Sequence, residues 1–425
     1  QGDTAAPSMT KQHGTNAPVQ NNVFYKQSEY KAYPTCYLWL VKGEVQGDGI
    51  VWGEPSIIDV KNADDQPFTG ICPGRGLVVP LEGGGERVMF QIYESKRGGN
   101  EAASAIWTDD GGKTWQRGAR ADRFNGAGKS SESQTVLLPN GDIRMYSRNS
   151  AGFISYCDSK DGGATWGPYA LDRELAYTGN CMVSFINVAG ALVSLDGTVY
   201  EHLIAASYPK TQGRQDGVIR LGSIDAQSGD VTWLNPADVR YPGKYLYSCL
   251  TQTADGFALV YENQGAPDGS KDIVFETFSA SDAMGEGWAW VESAPRISLS
   301  AKEIALGVGE TKSVSLQAQG VESAHVRWSI SSDGAAEAAK LDRDQGALDE
   351  AVSLTGAAPG KATLTARVQV DVDGTPLVLS ASARVYVSGE GQVVLPDEYD
   401  IPAAAAPVDE YVVQNDGAVG GGYLI

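Results

Sequence analysis

The chain has 425 residues and a net charge of -20, from 33 Lys and Arg against 53 Asp and Glu residues. So acidic a chain is poorly suited to nucleic acid, whose phosphates are neutralised by basic side chains, or to an anionic membrane surface. The 51 glycines favour many turns over long helices. The sequence contains no run of about 18 apolar residues, the length that predicts a membrane-spanning helix. The length predicts roughly two to three domains.

Two eight-residue segments, at residues 108–115 and 159–166, share the pattern Ser/Thr-x-Asp-x-Gly-x-Thr-Trp. In a tight hairpin turn, the aspartate can accept hydrogen bonds from the turn amides and the glycine supplies a positive φ. The tryptophan is expected to pack on a neighbouring sheet. Weaker copies follow the same theme at residues 48–52 and 229–233, and a last trace joins Ser281-Asp282 to Trp288 and Trp290.

Short β-prone segments bounded by turn residues lie between these repeats, for example at residues 87–93, 143–146 and 257–261. The tryptophans at positions 52, 115, 166, 233 and 290 recur at a blade-like period. Several strands in each period predict a β-propeller, whose blades are four-stranded.

The composition changes near Pro295, after which Ala, Ser, Thr and Val dominate, and residues 313–316 and 362–366 each have the pattern of a strand. Residues 308–311, 326–329 and 360–363 resemble a bacterial Ig-like domain of group 2, and about 90 residues of short strands suit such a sandwich. The acidic, Ala/Pro-rich and Gly-rich end of the chain is typical of a linker or a disordered tail. The sequence therefore predicts three parts: a propeller part at 1–293, an Ig-like domain at 294–388 and a tail at 389–425.

The cysteines and histidines do not suggest metal or disulfide chemistry. The five cysteines are widely spaced and lack a Cys-x-x-Cys pair, which favours reduced core residues: Cys36, Cys72, Cys157, Cys181 and Cys249. The three histidines are far apart and have no zinc-binding spacing, and His202 is expected to be structural.

The segments around the repeats resemble bacterial exo-sialidases of glycoside hydrolase family 33, and the two good repeats are the Asp boxes of that family's propellers. The matching segments are residues 131–134, 144–149, 213–217 with 220–222, and 245–250 with 259–262. Residues 33–39 and 73–76 also match larger bacterial sialidases. The resemblance covers about residues 20 to 293. It implies an all-β fold with a six-bladed sialidase-type propeller, here without its N-terminal blades.

By position, the resemblance implies that Tyr247 is the nucleophile and Glu132 its general base. Arg148 and Arg214 would be two members of an arginine triad that binds the substrate carboxylate, and Glu262 would hold an arginine in place. Arginine suits this role because its planar fork grips a carboxylate bidentately. A carboxylate nucleophile would be repelled by that substrate group, whereas a neutral phenol avoids the repulsion and a glutamate can take its proton. Sialidases with a tyrosine nucleophile depart in this way from most glycosidases.

Part of the family's machinery is not found in the sequence. The family's early Arg-Ile-Pro motif, its aspartate general acid and its first Asp box have no match before Phe24. The remaining candidates for the acid lie in the wrong contexts: Asp3, Asp48, Asp59, Asp64 and Asp65. We therefore expect this chain to be the C-terminal part of a larger sialidase, with an N-terminal segment of the same enzyme as its partner. A degenerate paralogue is the less favoured interpretation.

The function predicted from these motifs is that of an exo-α-sialidase, which releases terminal sialic acids from glycoconjugates with retention through a tyrosyl-enzyme intermediate. Sialylated glycans or glycoproteins are then the expected partners, and the chemistry requires no cofactor or metal. A non-catalytic sialoglycan-binding or adhesion protein, an intramolecular trans-sialidase and an unrelated Asp-box propeller remain as alternatives. The Ig-like domain, a common spacer on exported proteins, predicts a secreted or bacterial cell-surface location.

Overall fold

The computed structural model describes residues 38–396, except for residues 59, 61–67, 96–100, 178–179, 255, 265–271, 322–323, 373–374 and 395. The described chain is nearly all β and divides into two compact units. The first extends to Ala294 and also takes in Asp371–Leu377, and the second contains Pro295–Val370 and the described residues from Val378 onward. The all-β, propeller-type fold predicted from the sequence is confirmed, whereas the number of blades stays a prediction.

Short strands form the first described part of the chain. Strands β1 (Leu38–Leu40) and β4 (Ser56–Ile58) pair with each other, and between them lies the hairpin β2 (Gly43–Gln46) and β3 (Gly49–Trp52). Asp48 lies in the turn of this hairpin, as the weak repeat predicts. Trp52 is 64% exposed, however, so the expected packing of its ring is not observed.

Four larger antiparallel sheets follow in chain order. The first contains β5 (Phe68–Ile71), β6 (Leu77–Pro80), β7 (Glu86–Ser95), β8 (Glu101–Thr108) and β9 (Gln116–Arg117). The second is the meander β10 (Ser133–Leu137), β11 (Ile143–Ser147), β12 (Phe153–Ser159) and β13 (Ala170–Ala176). The third contains β14 (Ser184–Val188), β17 (Leu203–Thr211), β18 (Gln215–Ile224), β19 (Val231–Trp233) and β20 (Tyr241–Lys244). The fourth contains β21 (Ser248–Thr253), β22 (Gly256–Asn263) and β23 (Asp272–Phe278).

A small additional sheet completes the first unit. It joins β15 (Ala191–Ser194), β16 (Val199–Tyr200) and β24 (Trp288–Val291). The short helix α1 (Ala280–Met284) precedes β24.

Apolar clusters lie between successive large sheets. Met89 of the first sheet packs with Met145 of the second, and Tyr146 of the second sheet stacks on Phe185 of the third at 3.8 Å between ring centroids. Leu221 of the third sheet shares a cluster with Leu259 of the fourth. This face-to-face stacking of sheets places the starts of β10 and β21 near each other, which positions the candidate site described below.

The two Asp boxes have nearly the same hydrogen-bond network. Asp110 accepts hydrogen bonds from the Thr114 amide at 2.9 Å and the Thr114 hydroxyl at 2.6 Å. Asp161 accepts the corresponding bonds from Thr165 at 2.8 and 2.5 Å. These bonds hold the pKa of both carboxyl groups below the usual value, although partial burial opposes the effect at Asp161. Trp166 of the second box packs in the cluster between the first and second sheets, as the motif predicts.

Two predicted features differ from the structure. The trace at Ser281-Asp282 is no hairpin turn, because it lies in helix α1, where Asp282 and Ser279 form a reciprocal capping box. The segment 313–316 is not one strand either. Ser313 and Val314 end β27 (Thr311–Val314), whereas Leu316 begins the next strand, β28 (Leu316–Gln319).

The second unit is built from strands that range from 3 to 14 residues in length. Its largest sheet contains β26 (Glu303–Gly307), β29 (His325–Ser332), β31 (Gln345–Ala347), β33 (Gly360–Val372) and β34 (Thr375–Ser388). The others pair β25 (Arg296–Leu299) with β28 (Leu316–Gln319), and join β27 (Thr311–Val314), β30 (Ala339–Leu341) and β32 (Val352–Gly356). Trp328 and Leu364 lie in a core between these sheets. The assignment of this unit as Ig-like stays a prediction.

Three of the cysteines, Cys72, Cys157 and Cys181, are buried free thiols, Cys249 is a half-buried one, and Cys36 lies outside the described residues. No helix in the described part of the chain is long and apolar enough to cross a membrane.

Candidate active site

The hairpin β10–β11 brings Glu132 and Arg148 together. Its register pairs Ser133 with Ser147, so the next residues outward, Glu132 and Arg148, lie opposite each other. The Arg148 amide donates to the Glu132 carbonyl at 2.9 Å, which continues the ladder to this position. The separation of these two residues in the sequence is therefore explained by the hairpin.

The segment that carries Tyr247 is fixed by its neighbours on both sides. The buried Tyr245 ring stacks on Tyr241 and Tyr261, and its hydroxyl forms a hydrogen bond with Ser207 at 2.5 Å. A Cβ on Gly217 would lie 2.4 Å from the Tyr245 ring, so only glycine fits there. Tyr247 then directly precedes β21.

Glu262 lies opposite Tyr247 at the end of the β21–β22 ladder. The Glu262 amide donates to the Tyr247 carbonyl, and the Leu246 amide donates to the Glu262 carbonyl, both at 2.9 Å. The structure therefore places Glu262 beside Tyr247 through the backbone. Its predicted role of holding an arginine stays a prediction.

The side chains of Tyr247, Glu132 and Arg148 form a closed triangle. The Tyr247 hydroxyl donates to Glu132 Oε1 at 2.6 Å, and Arg148 Nη1 donates to Glu132 Oε2 at 2.7 Å. The same Nη1 donates to the Tyr247 hydroxyl oxygen at 3.1 Å. Glu132 is buried, whereas Tyr247 and Arg148 are half-buried, so the triangle is shielded but reachable from solvent.

Burial acts in opposite directions on the pKa values of the two partners of Glu132, whereas the charge of Glu132 raises both. Burial raises the pKa of Tyr247, and the hydrogen bond and negative charge of Glu132 raise it further, while Arg148 opposes them. For Arg148, burial lowers the pKa, but the hydrogen bond and charge of Glu132 outweigh burial and raise it. Tyr247 is thus a neutral phenol and Arg148 a cation at neutral pH. The Glu132 carboxylate is in direct contact with this phenol and is placed to accept its proton.

Arg214 lies beside Tyr247 and is carried by the tight hairpin loop between β17 and β18. Gly213 and Arg214 both have positive φ, at 78° and 57°. The loop is tied to the segment that carries Tyr247, because the Tyr245 amide donates to the Arg214 carbonyl at 3.0 Å. The guanidinium carbon of Arg214 lies 5.7 Å from the centre of the Tyr247 ring.

Arg214 has no ion-pair partner among the described residues. A half-buried cation without a carboxylate beside it is well placed to bind an anionic ligand, because the ligand would supply the missing charge. The structure therefore brings four of the predicted site residues into one location: Glu132, Arg148, Arg214 and Tyr247.

Sequence reasoning missed residues that support this location. Asn180 accepts a hydrogen bond from Arg148 Nε at 3.1 Å and has a positive φ of 44°, which asparagine tolerates better than most residues. The buried Cys181 follows it, and its thiol pKa is raised to about 11, mainly because of burial, while Arg214 and Arg148 oppose the effect. Neither residue belongs to a motif, so nothing in the local sequence singles them out.

One of the candidates for a general acid, Asp48, lies among the described residues. Asp48 lies in the β2–β3 turn. Asp3, Asp59, Asp64 and Asp65 lie outside the described residues, as does the matching segment 33–37.

Comparisons with known proteins agree with the motifs. No protein-family model matches the sequence. The chain is 28% identical over 287 residues to the anhydrosialidase of Macrobdella decora, a match that covers 64% of this chain and 36% of that protein. It is 29% identical over 223 residues to the sialidase of Micromonospora viridifaciens, covering 50% of this chain and 32% of the relative.

A solved structure matches in fold as well. It is a leech intramolecular trans-sialidase complexed with 2,7-anhydro-Neu5Ac, with a TM-score of 0.51 and 28% identity over 62% of this chain and 39% of that one. The chain thus spans about a third of the length of the curated relatives it matches. The predicted resemblance to sialidases is confirmed for the part of the chain that these matches cover, which is similar to sialidases in sequence and in fold.

Proposed function

We propose that this chain carries the nucleophile, the base and two carboxylate-binding arginines of an exo-α-sialidase that acts on sialylated glycans or glycoproteins with retention. The observation that carries the proposal is the contact of the Tyr247 hydroxyl with Glu132 at 2.6 Å, beside Arg148 and Arg214. A phenol in contact with a carboxylate and close to two cations is an arrangement for attack on an anionic sugar.

The first step follows from these contacts. Glu132 Oε1 takes the proton of the Tyr247 hydroxyl as the phenolic oxygen forms a bond to the anomeric carbon of sialic acid. The bond from that carbon to the aglycone oxygen breaks, and the aglycone leaves as an alcohol once it has gained a proton. Arg148 and Arg214 hold the substrate carboxylate, which is attached to the same carbon, and so fix the position of the reacting centre.

The second step reverses the first. Glu132, now protonated, returns its proton to the Tyr247 oxygen as a water attacks the anomeric carbon on the face that the aglycone left. Two inversions at one carbon give net retention. Arg148 stabilises both charge states, because its Nη1 contacts Glu132 and the Tyr247 oxygen together.

The aglycone needs an acid, and a third arginine is expected at the carboxylate. We propose that an N-terminal segment of the same enzyme supplies both and packs on the face of the fourth sheet that the described residues leave exposed. On this face Val260, Ile273 and Phe275 are 39, 67 and 68% exposed. Apolar side chains of this kind are buried between the other large sheets, which supports a further sheet as their partner.

Intramolecular transfer is the second candidate reaction. It is favoured by the names of two relatives, an anhydrosialidase and a trans-sialidase structure that holds 2,7-anhydro-Neu5Ac. In this reaction a hydroxyl of the same sugar, instead of water, attacks the anomeric carbon in the second step. The described residues serve both reactions equally, since the steps differ only in the second nucleophile.

The test is the release of a fluorogenic aryl alcohol from an aryl α-sialoside by the full 425-residue chain, with and without the N-terminal segment. We expect turnover that Tyr247→Phe abolishes while sialic acid binding persists, and product analysis then separates free from anhydro sialic acid. If the unchanged chain and Tyr247→Phe bind sialic acid equally well and neither turns over the aryl sialoside, even with the N-terminal segment added, the chain would instead be a non-catalytic sialoglycan-binding protein.

The remaining assignments follow from this function. We propose residues 1–293 as the catalytic part, 294–388 as an Ig-like spacer and 389–425 as a tail or linker. An enzyme that acts on glycoconjugates and carries such a spacer fits a secreted or bacterial cell-surface location. Fractionation of the native host, probed with an antibody to the chain, tests this location.

A further inference from the structure

The loop between β5 and β6, residues 72–76, lies against both strands that carry the candidate nucleophile and its base. This loop is the Pro-Gly-Arg-Gly segment of the sequence, to which the proposed mechanism gives no role. We call it the bridging loop.

On the side of the base, the bridging loop holds the residues on either side of Glu132. The Cys72 thiol contacts the Ser131 carbonyl at 3.8 Å. The buried Gln134 amide donates to the Pro73 carbonyl at 2.7 Å and accepts from the Arg75 amide at 3.2 Å. Glu132 therefore lies in a segment anchored to the loop before and after it.

The fit between the loop and Gln134 is close. Gly74 has a φ of 109°, and a Cβ there would lie 2.6 Å from Gln134 Nε2. Glycine is required at this position for both reasons, since the conformation and the space exclude a side chain. The amide of Gln134 thus has one position relative to the loop.

On the side of the nucleophile, the same loop reaches strand β21. Arg75 Nη1 donates to the Thr251 hydroxyl at 2.9 Å. Thr251 lies four residues after Tyr247, and the β21–β22 ladder continues back to Tyr247 through its carbonyl. Because side chains alternate along a strand, Thr251 and Tyr247 are on the same face.

We propose that Arg75 is a positioning residue: through its backbone it holds the Glu132 segment and through its side chain it holds the Tyr247 strand, so the bridging loop sets the separation of base and nucleophile. This inference rests on the proposed function of Tyr247 and Glu132. Arg75 itself is exposed and has no role in the proposed chemistry, so its loss should leave the fold intact.

The experiment measures the Tyr247–Glu132 contact directly and does not depend on turnover. Site-specific incorporation of 3-fluorotyrosine at position 247 of the full chain gives a single ¹⁹F signal, and fluorination acidifies the phenol into an accessible pH range. Among the described residues, the charged or titratable groups near this phenol include Glu132, Arg148, Arg214 and Cys181. The titration midpoint of the signal then reports how closely Glu132 is held.

Glu132→Gln provides the reference for a lost contact. Since a charge in direct contact changes a pKa by roughly one to three units, this variant should lower the midpoint by that amount. Arg75→Ala should also lower it, by about half a pH unit or more, because the strand that carries Tyr247 is no longer tied to the bridging loop and the phenol is held less closely to Glu132. Loss of the Arg75 cation alone would raise the midpoint, so a fall cannot come from its charge.

Thr251→Val removes the same hydrogen bond from the other side without changing any charge, and it should give a similar fall. If the two residues act through one bond, the double variant should fall no further than either single variant. Arg87→Ala is the matched control. Arg87 also connects two sheets, because its Nη1 donates to the Gly162 carbonyl at 2.7 Å. This contact is far from Tyr247 in the chain, so the loss of Arg87 should leave the midpoint unchanged.

The outcomes separate the two proposals. A lower titration midpoint in Arg75→Ala and in Thr251→Val, with an unchanged midpoint in Arg87→Ala, supports the positioning role of Arg75. A fall in Glu132→Gln alone overturns that role and leaves the proposed function standing. An unchanged midpoint in Glu132→Gln shows that Tyr247 and Glu132 are not coupled, and overturns both.

Discussion

Replacing Arg148 with lysine keeps the positive charge at the candidate site but removes the guanidinium fork. In the structure this fork uses Nη1 for Glu132 and Tyr247 and Nε for Asn180. A single ammonium cannot occupy both nitrogen positions, so it keeps the contact with Glu132 at the expense of the others. One hydrogen bond to a bound substrate carboxylate is then lost.

The size of the effect follows from the environment of the fork. Only 18% of the Arg148 side chain is exposed, so its bond to a carboxylate forms largely away from water. Hydrogen bonds to charged groups contribute about 1.5–3 kcal/mol, and the lower part of that range suits a half-buried site. A loss of about 1.5–2 kcal/mol weakens binding roughly 10- to 30-fold.

Calorimetric titration with sialic acid, and the KM for an aryl sialoside, measure this loss. Arg144→Lys is the matched control, because Arg144 lies on the same hairpin but forms its fork with Asp158 at 2.8 Å. That variant should bind sialic acid as the unchanged chain does. Equal affinities for Arg148→Lys and the unchanged chain would refute the assignment of Arg148 as a carboxylate-binding residue.

Three further predictions concern the scaffold around the site. Gly217→Ala should lower the free energy of unfolding by about 1–3 kcal/mol in a urea titration, because the new methyl overlaps the Tyr245 ring. Gly334→Ala is the control, because the space around its Cβ is open. Asp110→Asn should destabilise the chain at neutral pH, because the folded state lowers the pKa of this carboxyl through its turn hydrogen bonds. A carboxyl of this kind stabilises the fold above its unfolded pKa and loses the effect as the pH falls, so the two proteins should converge below about pH 4. The thiol of Cys181, whose pKa burial raises to about 11, should resist alkylation at pH 8 until the chain unfolds.

Each of these predictions has a result that contradicts it. Equal stability of Gly217→Ala and Gly334→Ala would show that the Tyr245 ring can move aside. A stability difference between Asp110→Asn and the unchanged chain that is as large at pH 3 as at pH 7 would show that the Asp-box carboxylate is not what the turn requires. Rapid alkylation of folded Cys181 would show that the thiol is accessible.

The sequence predicts the site best where local structure decides the geometry. Glu132 and Arg148 flank an antiparallel hairpin, so their spacing alone places them side by side. The Asp boxes are equally local, since each network closes within a few residues around Asp110 or Asp161. Patterns of this length can be interpreted without knowledge of the rest of the fold.

Other features depend on contacts that the sequence does not display. Asn180 meets Arg148 only because its loop has a left-handed residue at that position, and no pattern predicts it. Arg75 meets Thr251 across a long stretch of chain, so their bond follows from the stacking of sheets. The trace at Ser281-Asp282 was misleading for a physical reason: serine and aspartate accept amide hydrogen bonds equally well in a turn and at a helix N-terminus.

The central claim is that Tyr247 forms a covalent bond to sialic acid. It is tested most directly by mass spectrometry of the full chain after reaction with a 2,3-difluorinated sialic acid, whose fluoride leaves without an acid and whose second fluorine slows release of the sugar by destabilising the oxocarbenium-like transition state. We predict one added sialyl group, located on the peptide that contains Tyr247 and missing in Tyr247→Phe. A sialyl group on another residue, or a chain that binds the sugar and remains unmodified, would contradict the account.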